Sequence, residues 1–154
     1  KVHARDADSL KDFGIEFNVN MILGGQIKGE EPRLFNVYSA GNFIEATEET
    51  PYFQIGESKY GKPILDRVIE GDLSLDEVAK CCLISMDSTI KSNLSVGLPL
   101  DLMCYENDSL SVKQHKLIDQ HDPYFLSIRE RWGQQLRKVF NELPNPLYWD
   151  QSSS

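Results

Sequence analysis

Near Gly56 the spacing of apolar residues changes from a period of two to a period of about 3.6, which divides the chain into a strand-rich first part and a helix-rich second part. Over residues 15–23, Phe17, Val19, Met21 and Leu23 alternate with Glu16, Asn18, Asn20 and Ile22, the pattern of a strand with one strongly apolar face. The pair Gly24 and Gly25 is expected to end it. Residues 33–38 read as a second strand, Ser39-Ala40-Gly41-Asn42 as a tight turn, residues 43–46 as a third strand and residues 52–55 as a short fourth. Ahead of them, residues 4–13 have a helix-like composition with a weak apolar face.

Beyond Gly56 the pattern is helical. A first helix is expected within residues 58–70, with Ile64, Leu65, Val68 and Ile69 on one face and Gly71 as its stop. Its start falls at Ser58 or, because Pro63 removes a backbone donor, near Gly61. The second helix carries the clearest local signal. Ser74 and Glu77 form an S-x-x-E capping box, after which Leu75, Val78, Ala79, Cys82, Leu83, Met86 and Ile90 keep helical spacing. A polar stretch at residues 92–97 leads into a strand over residues 98–105, where Leu100, Leu102 and Cys104 alternate with Asp101 and Met103. Asn107 and Asp108 supply turn chemistry, and residues 109–115 are the expected hairpin partner. Asp122 and Pro123 then cap a last helix with Phe125, Ile128, Trp132, Leu136, Val139 and Phe140 on one face, ending before Pro144. Residues 144–154 lack periodicity and are expected to form a mobile or partner-docked tail.

Strands followed by helices, a hairpin and one more helix make the segregated pattern of an α+β domain. At 154 residues the chain fits one domain able to bury a core. A formal charge of −8 disfavours binding to nucleic acid or to an anionic membrane surface. There is no apolar run of about 20 residues, as a spanning helix requires, and residues 1–10 lack a signal-peptide pattern. Cys81, Cys82 and Cys104, odd in number and in apolar stretches, fit packed thiols in a reducing cytoplasm.

Generic chemical motifs are sparse. Gly24, Gly25 and Gly29 lack phosphate-loop spacing and serve turns, so no cofactor is expected. His115, Asp119, His121 and Asp122 match no closed metal site, and no metal is expected. Glu45, Glu48, Glu49 and Glu57 read as a solvated face, and Cys104 near His115 across the hairpin reads as core rather than as a thiol and its base. Residues 92–97 place three hydrogen-bonding side chains and a glycine between an apolar helix and a strand, as functional loops often do. Spacing alone favours a plainer role, in which Ser92 and Asn93 satisfy the last helical carbonyls.

Longer segments carry a resemblance. Phe17-Asn18-Val19-Asn20-Met21-Ile22-Leu23-Gly24-Gly25-Gln26, Pro32-Arg33-Leu34-Phe35 and Ser39-Ala40-Gly41-Asn42-Phe43-Ile44-Glu45-Ala46 resemble the proteasome β-subunit pattern, with Ala40 where that pattern has proline. Residues 53–67, Asp87-Ser88-Thr89 and residues 92–99 resemble more closely its bacterial ancestral-β-subunit branch, Anbu. The resemblance implies the C-terminal part of an N-terminal-nucleophile hydrolase, an αββα four-layer sandwich assembled into rings or open helical homo-oligomers. It implies a threonine-type endopeptidase acting on peptides, whose nucleophile is a mature N-terminal threonine helped by an aspartate and a lysine. Those residues are expected in a segment of the subunit missing from this chain, which alone would be inactive. The residues implied in supporting roles here are Ser58, in the loop before the first helix, and Asn93 and Ser95, in the loop after the second. Asn93 stands where the proteasome pattern has aspartate, and Glu57 falls beside or on the expected serine. The alternative implied function is a non-catalytic ring-assembly subunit.

Overall fold

The computed structural model describes residues 19–149. Strands β1 (Met21–Gly25), β2 (Arg33–Val37) and β3 (Phe43–Glu45) form an antiparallel sheet in the order β1-β2-β3. Helices α1 (Lys62–Val68) and α2 (Leu75–Ser92) follow, then the hairpin β4 (Leu100–Cys104) and β5 (Gln114–Ile118), helix α3 (Pro123–Glu142) and a 3-10 turn at Leu147–Trp149. Helix α2 is the hub, packing on α1, α3 and β4.

Local chemistry explains why α2 begins where it does. The Ser74 hydroxyl accepts from the Glu77 N–H, and the Glu77 carboxylate accepts from the Ser74 N–H at 3.0 Å, so two donors at the helix start are satisfied reciprocally. The bonds from Ser74 hold the Glu77 carboxyl below its ordinary range. Ser74→Ala is expected to lower stability by about 1 kcal/mol, the usual worth of such a cap. A shift of the urea midpoint with unchanged slope checks this. Asp122 caps α3 one way only, accepting from the Phe125 N–H at 2.9 Å.

The core lies where α2, α3 and the hairpin meet. Leu83, Ile118, Phe125 and Ile128 are buried together, with Ile84, Ile90, Leu98, Leu100 and Leu102 packed around them. Arg129 of α3 places Nε 2.8 Å from Oδ1 of the buried Asp87 of α2, so an ion pair joins the two helices beside that cluster. The sheets are linked elsewhere. The Gln26 side chain, after β1, donates to Asn107 and Asp108 at 2.8 and 2.9 Å and accepts from the Tyr105 hydroxyl and the Asp108 N–H, both at 2.8 Å.

Several expectations need correction. The glycine pair does end β1, as its last two positions, with Gly25 opposite Arg33. At Gly24 a Cβ would lie 3.0 Å from Leu34 Cδ1, so the missing side chain lets the strands sit close. The expected residues 15–18 of this strand, Phe17 among them, and the helix-like residues 4–13 lie outside the described residues. No strand forms at residues 52–55, where the Tyr52 hydroxyl bonds α1 instead. The start of α1 is the later of the two alternatives, with Gly61 as N-cap, and its C-cap is Ile69 rather than Gly71.

The hairpin partner of β4 is Gln114–Ile118, not residues 109–115. Asp108 and Leu110 turn the chain at φ of 60° and 48°, and the Leu110 N–H reaches the Tyr105 hydroxyl at 3.2 Å, so the connection is long and the register shifts. Cys104 accordingly faces Gln114, while His115 faces Met103 and sits 2.8 Å from Asp101. On α3 only Phe125 and Ile128 of the expected face are buried. Leu136, Val139 and Phe140 are exposed, and so are Leu143 and Leu147 beyond the helix.

The described face of the first sheet is likewise uncovered, with Val19, Met21, Leu23 and Phe43 exposed. An open gap of about 1110 Å³ runs between the sheets, lined by Ile22 and Leu34 on one side and Met103 and Val112 on the other. Exposed apolar patches of this kind mark surfaces built to be covered.

Candidate functional site

Two loops adjoin the C-terminal half of α2. The first, residues 56–61, turns at Gly56, whose φ of +78° suits glycine. The Ser58 N–H donates to the Gly56 carbonyl and the Ser58 carbonyl accepts from the Lys62 N–H, both at 2.9 Å. Gly61 then lies flat on α2. A Cβ there would clash with Ser85 Oγ and fall 2.9 Å from both the Ser85 carbonyl oxygen and Thr89 Oγ1, so only glycine permits this approach. Thr89 is four residues before Asn93, about 6 Å along the helix at 1.5 Å per residue.

The second loop, residues 92–97, begins with Asn93 as the C-cap of α2. Its backbone N–H donates to the Thr89 carbonyl at 2.8 Å. Its side chain does not serve the helical carbonyls. Asn93 Oδ1 accepts from the Ser95 N–H at 2.9 Å and pairs with Ser95 Oγ at 2.8 Å, an Asx turn in which the serine hydroxyl donates. With its proton committed to Asn93, the Ser95 oxygen keeps its lone pairs for an outside donor. Asn93 is half-buried, Ser95 is exposed, and Leu94 between them is fully exposed.

The structure therefore brings Asn93 and Ser95 into direct contact, while Ser58 stands three residues before Gly61, which packs on Ser85 and Thr89 in the C-terminal half of α2. Both hydrogen bonds that Ser58 makes run through its backbone. Helix C-termini present unpaired carbonyls and partial negative charge, which favour a cation there. Such a site can hold an ammonium group and supply acceptors to it.

Ser58 also lines a cleft of about 330 Å³ with Tyr52, Gln54, Lys62 and Asp66. Lys62 and Asp66 pair at 2.6 Å, an i,i+4 contact that spacing alone could have revealed. The Tyr52 hydroxyl joins them, donating to Asp66 at 2.5 Å and accepting from Lys62 at 3.1 Å. Burial and the Asp66 carboxylate push the Tyr52 phenol above its usual range. No sequence signal pointed to this tyrosine.

Other chemistry is weak. Burial pushes the Cys81 and Cys82 thiols up, away from the thiolate form a nucleophile needs. Among the described residues no cluster of His, Cys, Asp and Glu is placed to hold a metal, and no helix is long and apolar enough to cross a membrane.

Comparison with known proteins gives consistent matches. A family model described as proteasome subunit matches residues 9–98. Among solved structures, Anbu (ancestral beta-subunit) from Yersinia bercovieri is 60% identical, with a TM-score of 0.83 over 88% of this chain and 58% of that one. Anbu from Hyphomicrobium sp. strain MC1 is 53% identical, with a TM-score of 0.82 over 90% of this chain and 60% of that one. The helical assembly of the Anbu complex from Pseudomonas aeruginosa matches at 46% identity and a TM-score of 0.89, covering 94% of this chain and 60% of that one. This chain thus spans less than two thirds of the length of each. No curated protein matches.

Proposed function

Because the chain belongs to the proteasome subunit family, in its Anbu branch, we propose that it is the C-terminal part of a threonine-type peptidase subunit. Residues 1–154 contribute to one αββα sandwich, and the nucleophilic threonine belongs to a segment outside them. The exposed faces of both sheets and the gap between them support this, since they offer the surface that such a segment would cover.

The observation that carries the catalytic reading is the hydrogen-bonded pair Asn93 and Ser95 at the negative end of α2. A free α-amino group, with an ordinary pKa of about 7.7–8.0, can act as base to its own side-chain hydroxyl. It takes the hydroxyl proton as the threonine oxygen adds to the peptide carbonyl carbon. The resulting ammonium returns that proton to the departing amine, leaving an ester that water hydrolyses. In this reading Ser95 Oγ and Ser58 accept from the amine, and the end of α2 favours its charged state while the proton is held.

The test is peptide cleavage by the full-length subunit. Ser95→Ala and Ser58→Ala are each expected to lower kcat about tenfold or more with little change in KM, the signature of contacts made only as charge develops. Equal kcat in both variants and wild type would remove these roles.

The subunit works as a homo-oligomer in the cytoplasm, without cofactor or metal. The relative from Pseudomonas aeruginosa forms a helical assembly, and the apolar stripe of α3 offers a face for a second copy. That stripe equally favours a non-catalytic assembly subunit. The two readings part on whether the full-length subunit cleaves any peptide.

A further inference from the structure

Tyr52, Lys62 and Asp66 form a closed set of three hydrogen bonds outside the Asn93 and Ser95 pair. The bonds run from Tyr52 to Asp66 at 2.5 Å, from Lys62 to Asp66 at 2.6 Å and from Lys62 to Tyr52 at 3.1 Å. The Lys62 ammonium also lies 5.3 Å from the Tyr52 ring. Tyr52 precedes the Ser58 loop, and Lys62 and Asp66 follow it on consecutive turns of α1. The cluster therefore ties the two ends of one loop together at its base, and Gly61, next to Lys62, seats that same end on α2. Within the loop Ser58 is held by its two backbone bonds, to Gly56 and from Lys62, so the placing of Lys62 bears directly on it.

From this juxtaposition we infer that Tyr52, Lys62 and Asp66 are positioning residues that set where Ser58 stands in the cleft they share with it. The inference rests on the function proposed above. A surface ion pair is worth little by itself, and here the pair matters through geometry: the tyrosine hydroxyl gives to one partner and receives from the other, so its direction is fixed. Small misplacements near reacting groups cost rate out of proportion to their energy.

The clasp also keeps one charge state over a wide pH range. Hydrogen bonds from Lys62 and then Tyr52 lower the Asp66 carboxyl, with Arg67 adding a smaller effect, and bonds to Asp66 and Tyr52 raise the Lys62 ammonium. Its contribution is present above the ordinary carboxylate pKa of about 3.9 and below the ordinary lysine pKa of about 10.4. It is lost as pH falls through the lowered Asp66 value or rises through the raised Lys62 value.

The experiment uses the full-length subunit with Tyr52→Phe, which keeps the ring and removes the hydroxyl, alongside Ser58→Ala and Lys62→Arg. Hydrogen exchange by mass spectrometry should show residues 55–61 exchanging several times faster in Tyr52→Phe, with α2 unchanged. In peptide cleavage, kcat should fall about three- to tenfold with KM within about twofold, the profile between pH 5 and 9 should keep its shape, and Lys62→Arg should retain most activity. If Ser58→Ala lowers kcat while Tyr52→Phe changes neither exchange nor kcat, the clasp is overturned and the proposed function stands. If Ser58→Ala leaves cleavage unchanged, the proposed role of Ser58 falls, and the positioning role falls with it.

Discussion

Gly61→Val in the full-length subunit is expected to lower peptide cleavage more than a hundredfold while the subunit remains folded. The side chain would be forced against Ser85 Oγ, the Ser85 carbonyl and Thr89 Oγ1, and two of these three atoms cannot swing aside cheaply. The carbonyl is backbone, and Thr89 Oγ1 is held by donating to that same carbonyl at 2.9 Å. Relief comes from lifting the loop off α2, which moves Ser58 out of the place proposed for it. Overpacking of this kind costs about 1–3 kcal/mol, which a folded domain usually survives. A thermal melt and a kcat measurement check both halves. A companion change, Ser85→Ala, removes the worst contact and should return part of the activity, a coupling that a double-mutant cycle reads directly. Full activity in Gly61→Val would mean that the loop can leave α2 without consequence.

The second large effect concerns assembly. Leu136, Val139 and Phe140 follow the i, i+3, i+4 spacing of one helical stripe that Leu143 continues just past the helix end, and each is more than half exposed. On a chain carrying −8 of formal charge, a projecting apolar ridge of this length is a surface made to be buried. Burying such side chains contributes about 1.5–3 kcal/mol each, so a few of them can dominate an interface. Val139→Asp with Phe140→Asp is therefore expected to collapse the proposed homo-oligomer to small species in sedimentation velocity, with the circular dichroism spectrum of the subunit unchanged. An unaltered sedimentation profile would show that α3 does not carry the contact.

How much of this could be read from the sequence depended on how local each determinant is. The Ser74 and Glu77 box and the Asp122 cap were correct to the residue, because a cap is decided within four positions. The alternation in β4 also held, with Leu100, Leu102 and Cys104 turned inward and Met103 outward. Its partner did not, since the register was set by left-handed residues at Asp108 and Leu110 and by a bond to Tyr105 that no periodicity encodes. The exposed half of α3 shows a further limit: an apolar stripe announces that a face will be buried, but not by what.

The candidate site was the least accessible to spacing. Residues 92–97 were expected to serve the helix end, and the Asn93 N–H does so, yet its side chain turns outward to Ser95. Ser58, Asn93 and Ser95 emerged from resemblance alone. The contact that seats the Ser58 loop on α2, Gly61 on Ser85 and Thr89, depends on helix packing between residues more than twenty positions apart.

A structure of the full-length subunit is the most direct check on the division of labour proposed here. The free amino group of an N-terminal threonine should lie within about 3.5 Å of Ser95 Oγ or Ser58 Oγ, at the C-terminal end of α2. An N-terminal residue other than threonine, or an amine bound elsewhere with water filling this end of α2, would contradict it.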